Sequence, residues 1–499
     1  MLNDAINGKI LNVDLSSGAV EAESLPEEMY RDYIGGYGLG ARLLFDRIPR
    51  GADALGPDNV LGFFPGILTG TPLFGERFEV VAKSPKNGGW GDANCGGDFG
   101  PFLKFAGWDG LLFSGASQRP VYLLIEDDKL EIKDASDLWG LDAITAEEQL
   151  KERHGKNASI ACIGPSGENL SYMAGICNEH GRLAARSGLG AVMGSKKLKA
   201  VVVVASRKIL AGTDKDVLAL VKTSVGEFGP SAQFFRTFGT TGITPSSAIS
   251  GDSPVKNWGG AGAVDFPKSM ELMGNKFNEK MDKTYGCWHC PLSCGAESKE
   301  SDNPKYPYPK HTHRAEYETA CSFGTLILNS DLDSLNYANH LCNAYGLDTI
   351  SAGATIAFAF ECYENGVIGS EDTGGLELTW GNDVAAIEML HRFGKREGIG
   401  DLFADGIRKA AEKLGPKAEP FAMEVGGEEL PMHDPKLQPE YFTTYKLDPT
   451  PSRHTLYEGA ARTGWAIPPA PTNKAEASGR GEHHKAAAEY MHIVNSIGT

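Results

Sequence analysis

Three cysteines fall within eight residues of this chain, and no other feature constrains the chain as much. Cys287, Cys290 and Cys294 share one short segment, with Gly286 before it and Gly295 after it. Three thiolates this close together can converge on one metal centre from a single tight loop. The spacing favours an iron–sulfur cluster whose fourth ligand comes from elsewhere in the chain.

Two other interpretations of the same cysteines stay open. A zinc ion can use the three thiols with His289, His311 or His313 as its fourth ligand. Cysteines are also small buried hydrophobic residues in many proteins, with no metal attached. The spacing alone does not separate these alternatives.

Length and charge narrow the class of protein. A chain of 499 residues is too long for a single core and predicts two to four domains. A net charge of -17 argues against a nucleic-acid-binding protein or a protein that binds anionic membranes. We find no signal peptide and no apolar run of eighteen residues, and the nine cysteines are unevenly spaced. These features predict a cytoplasmic protein in a reducing compartment.

The spacing of apolar residues divides the chain into a first part with strand-like patterns and a second part with helix-like patterns. Residues 1–210 read as β-rich, with strands predicted at residues 9–15, 121–125, 130–132 and 200–205. From about residue 211 the period becomes helical. Helices are predicted at 334–345, 351–365, 383–396 and 401–414, with Asp401 as an N-cap and Gly366 and Gly415 as C-terminal stops. The fold class is α+β, and residues 475–489 are expected to be exposed to solvent.

Two glycine-rich segments lie in the β-rich part, at residues 88–100 and 186–197, and both are predicted to be loops. Glycine lets backbone N–H groups approach an anion closely, and Arg77 and Arg186 provide positive charge near each segment. Neither segment is a dinucleotide fingerprint or a P-loop. Either glycine-rich segment taken alone can also be a plain turn. Two such segments in one domain, each with an arginine nearby, favour a site for an anionic cofactor.

Three further residues are candidates for chemistry. Glu318 lies at the start of a segment of small and apolar residues, where burial of a carboxylate would suit it to general acid–base catalysis. The alternative is an ordinary acidic residue at a helix start. His433 and His454 lie in proline-rich loops that can present a side chain to a cavity, and a structural histidine is the alternative for both.

Several stretches taken together resemble the aldehyde:ferredoxin oxidoreductase family of tungsten-pterin enzymes. In order along the chain they are residues 33–40, 66–70, 83–85, 94–100, 104–110, 163–168, 190–200, 287–294, 316–318 and 345–351. The resemblance implies an N-terminal β domain (1–210) that carries the pterin cofactor. It also implies a helical domain with the cysteine loop (211–418) and an incomplete helical C-terminal domain (419–499).

The resemblance further implies the cofactors and their ligands. These are a tungsten or molybdenum bis-pyranopterin, Mg²⁺ bridging the pterin phosphates, and a 4Fe-4S cluster. The positions that match pterin-phosphate residues are Arg77, Asn94, Gly96, Arg186 and Gly188, and those that match positions near the second pterin are Asn343 and Asp348. Cys287, Cys290 and Cys294 match cluster ligands. Glu318 and His454 match a general base and a hydrogen-bond donor to the substrate oxygen.

By the same resemblance, the protein would oxidise aldehydes to carboxylic acids and pass electrons through the cluster to ferredoxin or to a dedicated iron–sulfur subunit. It would form a homodimer or a hetero-oligomer. Residues 447–455 look more like the branch that contains the tungsten subunit of class II benzoyl-CoA reductase, so an acyl-CoA reductase subunit is the alternative. An alternative from another class is a zinc-stapled binding protein without catalysis.

Two stretches depart from the family pattern. Tyr337 and His340 occupy the place of a Glu-x-x-His motif that holds a bridging iron between subunits. Residues 495–499 resemble the start of the second pterin motif, so the fourth cluster ligand is expected just beyond Thr499.

Overall fold

The computed structural model describes residues 5–207, 213–456, 473 and 476–499 of the chain. Most strands lie before residue 205. They are β1 (Lys9–Asp14), β2 (Ala19–Ser24), β3 (Leu61–Pro65), β4 (Phe78–Lys83), β5 (Trp90–Cys95), β6 (Leu111–Ser114), β7 (Val121–Glu126), β8 (Lys129–Asp134), β9 (Ser159–Cys162), β10 (Ile176–Asn178), β11 (Arg182–Ala184) and β12 (Leu198–Val204). Three short hairpins follow, with strands β13 (Pro254–Val255), β14 (Gly260–Ala261), β15 (Met281–Tyr285), β16 (Gly295–Ser298), β17 (Glu424–Val425) and β18 (Glu428–Glu429).

Helices connect the strands and dominate the second half. Those up to residue 279 are α1 (Glu27–Tyr33), α2 (Gly36–Arg47), α3 (Phe99–Phe105), α4 (Ala143–His154), α5 (Pro165–Glu168), α6 (Leu189–Ser195), α7 (Lys215–Gly226), α8 (Pro230–Phe238), α9 (Thr244–Ser250), α10 (Gly262–Asp265) and α11 (Gly274–Glu279). The later ones are α12 (Tyr317–Ser322), α13 (Leu332–Tyr345), α14 (Thr349–Glu364), α15 (Ser370–Thr373), α16 (Asp383–Lys395), α17 (Ile399–Phe403), α18 (Ile407–Leu414), α19 (Glu440–Leu447) and α20 (Arg480–Ile497). None of the helices in the described ranges has the length and apolar character needed to cross a bilayer.

The N-terminal strands form two six-stranded sheets. The order is β2-β1-β6-β3-β4-β5 in the first sheet and β11-β10-β9-β12-β7-β8 in the second. One core lies between them and joins residues of both sheets, such as Phe63 and Val80 from the first and Leu123 and Val201 from the second. Val81, the neighbour of Val80, faces the opposite side and packs with α2. Central strands are therefore buried on both faces, which explains why their sequences are continuously apolar rather than alternating.

The second half is organised around α14. Twelve of its residues are buried, because other helices of the region surround it and a helix that is apolar on all sides needs cover on all sides. Asp348 caps its N-terminus by accepting a hydrogen bond from the N–H of Ile350, at 3.1 Å. This places Asp348 where the helical region meets the sheets.

The α+β class, the β-rich first half and the helical second half are confirmed. The predicted helix at 401–414 is wrong as a single element, because it is two helices, α17 and α18. Asp401 lies inside α17, whose N-cap is Gly398. The break has a tertiary cause: the N–H of Ile407 at the start of α18 donates to the buried carboxylate of Glu429, at 3.0 Å.

Three local expectations also need correction. Residues 88–100 are not one loop, since β5 occupies their centre, and residues 186–197 contain a 3₁₀ turn (Arg186–Gly188) followed by α6. Residues 480–489 belong to α20, in which His483 and Ala487 are buried, so that part of the segment is not simply exposed. The division into three domains remains a prediction.

A buried ionic cluster joins the sheets to the helical region. The ammonium group of Lys86, which follows β4, forms ion pairs with Glu429 and with Glu428, the latter at 3.5 Å. It also donates to the hydroxyl of Ser351 in α14, at 2.9 Å. The side chains of Lys86, Glu428 and Glu429 are almost completely inaccessible to solvent. Each charge here is tolerated only because the opposite charge is in contact with it.

We expect Lys86→Met to destabilise the protein by about 3–5 kcal/mol, because the buried carboxylate of Glu429 would lose its cation and that of Glu428 would keep only Arg186. The control is Lys409→Met, which removes an exposed pair between Lys409 and Glu412 and should cost less than about 1 kcal/mol. Urea unfolding followed by circular dichroism measures both. Equal unfolding midpoints for the two variants would contradict the proposed role of the cluster.

Candidate functional site

A cavity of about 370 Å³ lies between the sheets and the C-terminal helix. Its lining residues include Arg77 just before β4, Asn94 in β5 and Arg186 after β11. Arg453 and His454, at the start of the 3₁₀ turn His454–Leu456, also line it. Met491, Val494 and Asn495 of α20 contribute to the wall as well. The structure therefore brings four of the predicted site residues, Arg77, Asn94, Arg186 and His454, to one place.

The lining of this cavity is cationic although the protein as a whole is acidic. Three guanidinium groups line it, whereas Glu76 is the one acidic side chain among its lining residues in the described part of the chain. Burial raises the pKa of Glu76 to about 7, with Arg77 opposing that shift, so even this charge is reduced near neutral pH. A local excess of positive charge at an enclosed site suits an anionic ligand.

Arg77 and Asn94 are held together across neighbouring strands. The Arg77 guanidinium donates to the side-chain oxygen of Asn94, and the Asn94 amide donates to Glu79 Oε1 at 2.5 Å. Glu79 is fully buried, and burial raises its pKa to about 7, while Arg453 opposes the shift. The register of β4 and β5 puts Glu79 opposite Asn94. The two candidate anion-binding side chains are thus oriented by the sheet itself.

Arg186 faces two carboxylates as well as the cavity. Its guanidinium lies 3.3 Å from Asp348 and 3.5 Å from Glu428, and it donates to the carbonyl groups of Glu429 and Ser452. The pKa of Arg186 is raised because these acidic groups outweigh the effect of burial. Asp348 is therefore close to the cavity through Arg186.

Two predicted glycines are positions where a side chain does not fit. Gly188 has φ +69, and a β-carbon there would lie 2.8 Å from the carbonyl oxygen of Tyr172. A β-carbon at Gly96 would lie 2.7 Å from Cys287 Sγ and 3.3 Å from Arg77 Nη1. Gly96 therefore lets the cysteine segment approach the first sheet.

Asn343 is one of the predicted cofactor residues that are not in the cavity lining, as are Asp348, Gly96 and Gly188. It is a buried residue of α13, and its amide packs beside Gly181, where a β-carbon would lie 2.7 Å from Asn343 Nδ2. Its role near a second pterin remains a prediction.

The three cysteines lie on the connection between β15 and β16, close to the cavity. Cys287, Cys290 and Cys294 are partly buried thiols, and the N–H of Trp288 donates to the carbonyl of Gly97 at 3.3 Å. Burial raises the pKa of all three thiols. Among the described residues, the three sulfurs do not form a group with all ligand atoms within 4.8 Å of one another. A single zinc ion holding all three at about 2.3 Å needs closer sulfurs.

A second group of side chains does meet that criterion. Glu318, His433 and His454 place one potential ligand atom each within 4.8 Å of the others. Nε2 of both histidines lies 3.5 Å from Glu318 Oε1. Glu318 lies in the first turn of α12, and its Oε2 accepts a hydrogen bond from the N–H of Met432 at 2.8 Å. The carboxylate is thus fixed with one oxygen facing both imidazoles.

The two histidines differ in their surroundings. His454 lines the cationic cavity, and burial, followed by His433, Arg186 and Arg453, lowers its pKa well below the ordinary value. His454 is therefore a neutral imidazole near pH 7. His433 Nδ1 lies 2.8 Å from the Asp252 carboxylate, which fixes the ring so that Nε2 faces Glu318.

The sequence reasoning missed Asp252 and Arg453, and it gave His433 only as an isolated candidate. Asp252 is a buried acid beside His433, and Arg453 is a buried cation that forms an ion pair with Asp92. Asp252 and His433 are separated by 181 positions in the chain, and Asp92 and Arg453 by 361. No local sequence pattern therefore links the members of either pair. The one available signal was that Arg453 directly precedes His454.

Comparison with known proteins matches this architecture along almost the whole chain. A profile for the N-terminal domain of aldehyde ferredoxin oxidoreductase matches residues 10–205, and a profile for domains 2 and 3 matches residues 221–499. The chain is 38% identical to the tungsten-containing aldehyde ferredoxin oxidoreductase of Thermococcus kodakarensis, over 86% of this chain and 70% of that protein. The corresponding protein of Pyrococcus horikoshii is 36% identical, with the same coverage.

A solved structure agrees in shape. The active-site complex BamBC of benzoyl coenzyme A reductase, in complex with 1,5-dienoyl-CoA, contains a chain that superimposes with a TM-score of 0.84 at 26% identity. The match covers 99% of this chain and 81% of that one. The chain belongs to the aldehyde ferredoxin oxidoreductase family. It is an oxidoreductase of that type, and its family implies a tungsten-pterin cofactor.

A histidine of α20, the helix that contributes to the cavity wall, makes stability depend on pH. Burial, then Arg453 and His484, lower the pKa of His492 in α20 to about 4, whereas an exposed histidine titrates near pH 6.5. Between these values the unfolded chain binds the proton and the native protein does not, so native stability falls as the pH falls from about 6.5 to 4. We expect His492→Gln to reduce this slope, measured as the thermal unfolding midpoint against pH. An unchanged slope would contradict the burial of a neutral His492.

Proposed function

We propose that the protein oxidises aldehydes to carboxylic acids at a tungsten-pterin site. Cys287, Cys290 and Cys294 would hold a 4Fe-4S cluster, which would supply the electron path to ferredoxin or to a dedicated iron–sulfur subunit. The observation that carries the proposal is the placement of Glu318 and His454, 3.5 Å apart, beside a cavity lined by three guanidinium groups. The curated relatives at 36–38% identity support the choice of aldehydes.

The donors at the cavity fit the cofactor. Pterin phosphates are anions, and Arg77, Asn94 and Arg186 offer guanidinium and amide donors to them. Gly96 and Gly188 have no side chain that would keep a phosphate away from the backbone N–H groups. Mg²⁺ would neutralise part of the phosphate charge, and Asn343 and Asp348 would hold the second pterin. When bound, the cofactor supplies the two-electron redox chemistry.

The protein's own residues handle the proton and the oxygen atom. Conversion of an aldehyde and water to a carboxylic acid releases two electrons and two protons. Glu318 is the base that removes a proton from the water, and neutral His454 donates a hydrogen bond from Nε2 to the aldehyde oxygen. The His433 Nε2 atom, 3.5 Å from Glu318 Oε1, receives the proton next, while Asp252 stabilises the resulting imidazolium.

Aromatic rings enclose this proton path. The rings of Tyr317 and Tyr441 lie 4.8 Å and 5.7 Å from that of His433, and the Tyr445 hydroxyl donates to the His433 carbonyl at 3.0 Å. Tyr317 and Tyr445 are buried. These rings place apolar groups around His433, and a less polar environment strengthens the electrostatic contacts there.

An acyl-CoA reductase subunit is the second candidate. It is favoured by the structural match to the benzoyl coenzyme A reductase complex at a TM-score of 0.84 and by the sequence of residues 447–455. In that case the protein would act with partner subunits as a hetero-oligomer, whereas an aldehyde oxidase with free ferredoxin fits a homodimer. Activity assays with aldehydes and with aromatic acyl-CoA thioesters, each with a viologen dye as electron carrier, separate the two.

We expect Glu318→Gln to reduce aldehyde oxidation at least a hundredfold, because a general base contributes about 10²–10⁴-fold to rate, while tungsten content stays unchanged. Steady-state kinetics with a viologen acceptor and elemental analysis measure the two effects. The control is Glu316→Gln, two residues earlier, where the carboxylate is exposed and accepts a hydrogen bond from Thr240.

The outcomes of this experiment separate the alternatives. Full activity in Glu318→Gln would remove this residue from the mechanism. If the wild-type protein acts on acyl-CoA thioesters and not on aldehydes, the proposal of aldehyde oxidation is wrong and the acyl-CoA reductase function takes its place.

A further inference from the structure

The surroundings of Cys287 contain a cation that the reaction described above does not use. Arg182 is the first residue of β11, at the edge of the second sheet. Its Nη1 would lie 3.8 Å from a β-carbon on Gly96, and Cys287 Sγ would lie 2.7 Å from the same point. Arg182 and Cys287 are therefore on the same side of Gly96 and close to each other. In the described part of the chain, Arg182 is absent from the lining of the cationic cavity.

The guanidinium of Arg182 is held from two sides. Its Nε donates to Glu179 Oε2 at 2.6 Å, and the guanidinium carbon lies 4.9 Å from the ring centroid of Tyr285. The Tyr285 hydroxyl in turn bonds to Nδ1 of His313 at 2.8 Å. Only 17% of the Arg182 side chain is exposed. A charge fixed in this way is weakly screened by salt, and Glu179 offsets part of it.

This charge lies near one of the three cysteines. Arg182 Nη1 and Cys287 Sγ both lie within 3.8 Å of the same point beside Gly96, so the guanidinium is close to a sulfur that the proposed function assigns to the cluster. The reduction potential of an iron–sulfur cluster depends on the net charge, the hydrogen bonds and the solvent exposure around its sulfurs. A fixed cation next to a ligand sulfur stabilises the reduced cluster, which carries one more negative charge.

We propose that Arg182 is a positioning residue that raises the reduction potential of the cluster on the cysteine segment and fixes Cys287 against Gly96. This inference rests on the proposed function, since it takes the cluster as bound. Arg182 would set the reduction potential at which the cluster takes up one electron at a time and passes it to the external acceptor. No bond is formed or broken in this step. Arg77 also lies near Gly96, but it lines the cationic cavity and keeps its separate assignment.

The test is a redox titration of the anaerobically purified holoenzyme, followed by EPR of the reduced cluster. We expect Arg182→Gln to shift the midpoint potential to more negative values, with iron content unchanged. Arg182→Lys keeps the charge and should restore most of the wild-type potential. The matched control is Arg236→Gln, because Arg236 also contacts the cysteine segment through the carbonyls of Pro291 and Leu292 but is exposed. Its potential should equal that of the wild type.

A second variant keeps the proposal testable if Arg182→Gln loses its iron. Glu179→Gln removes the counter-charge of Arg182 and should shift the potential to more positive values. It is measured at pH 8, because burial raises the pKa of Glu179 to about 7. Unchanged potentials in Arg182→Gln, or in Glu179→Gln where the first loses iron, would overturn the role of Arg182. Wild-type protein with no iron and no EPR signal would instead refute the cluster assignment in the proposed function.

Discussion

The site depends on the burial of two cations, Lys86 and Arg186, against three carboxylates. Lys86 follows β4 of the first sheet and Arg186 follows β11 of the second, whereas Asp348, Glu428 and Glu429 come from the helical half. Because removal of either cation would leave buried carboxylates with less counter-charge, these contacts favour one arrangement of the two halves of the chain. That arrangement sets the orientation of Arg186 towards the cavity and fixes the start of α18 through Glu429.

The cluster also explains how an acidic chain forms an anion-binding cavity. The net charge of -17 is spread over the whole protein, but the cavity wall carries Arg77, Arg186 and Arg453. Carboxylates behind the wall, such as Asp92 and Asp348, hold these arginines in place without entering the lining. Selectivity for an anionic cofactor therefore comes from the local order of charges and not from the overall charge.

The reactive group beside this cavity combines three parts of the chain. Glu318 comes from α12, His433 from the segment after β18, and His454 from the segment after α19. Asp252 adds a fourth contact from the β13 region. A carboxylate facing a neutral imidazole on one side and a carboxylate-bound imidazole on the other can take up a proton and pass it away from the substrate.

Local patterns predicted much of the fold. The strands near residues 9, 121 and 200 and the helices at 334, 351 and 383 follow from apolar periodicity and caps. The break between α17 and α18 did not follow, because a buried carboxylate far along the chain causes it. The same holds for Asp252 and Arg182, which gain their roles only when distant segments meet. Residues that match family motifs, such as Arg77 and Glu318, were predictable, whereas their supporting contacts were not.

The central claim is that the cationic cavity holds a tungsten-pterin next to an iron–sulfur cluster. Elemental analysis of the protein, purified from its own host under strict anaerobiosis, tests this claim most directly. The account predicts tungsten in amounts equal to the protein, together with iron in excess of it and little zinc. Zinc with neither tungsten nor iron would contradict it, because the arginine-lined cavity and the cysteine segment would then serve some other purpose.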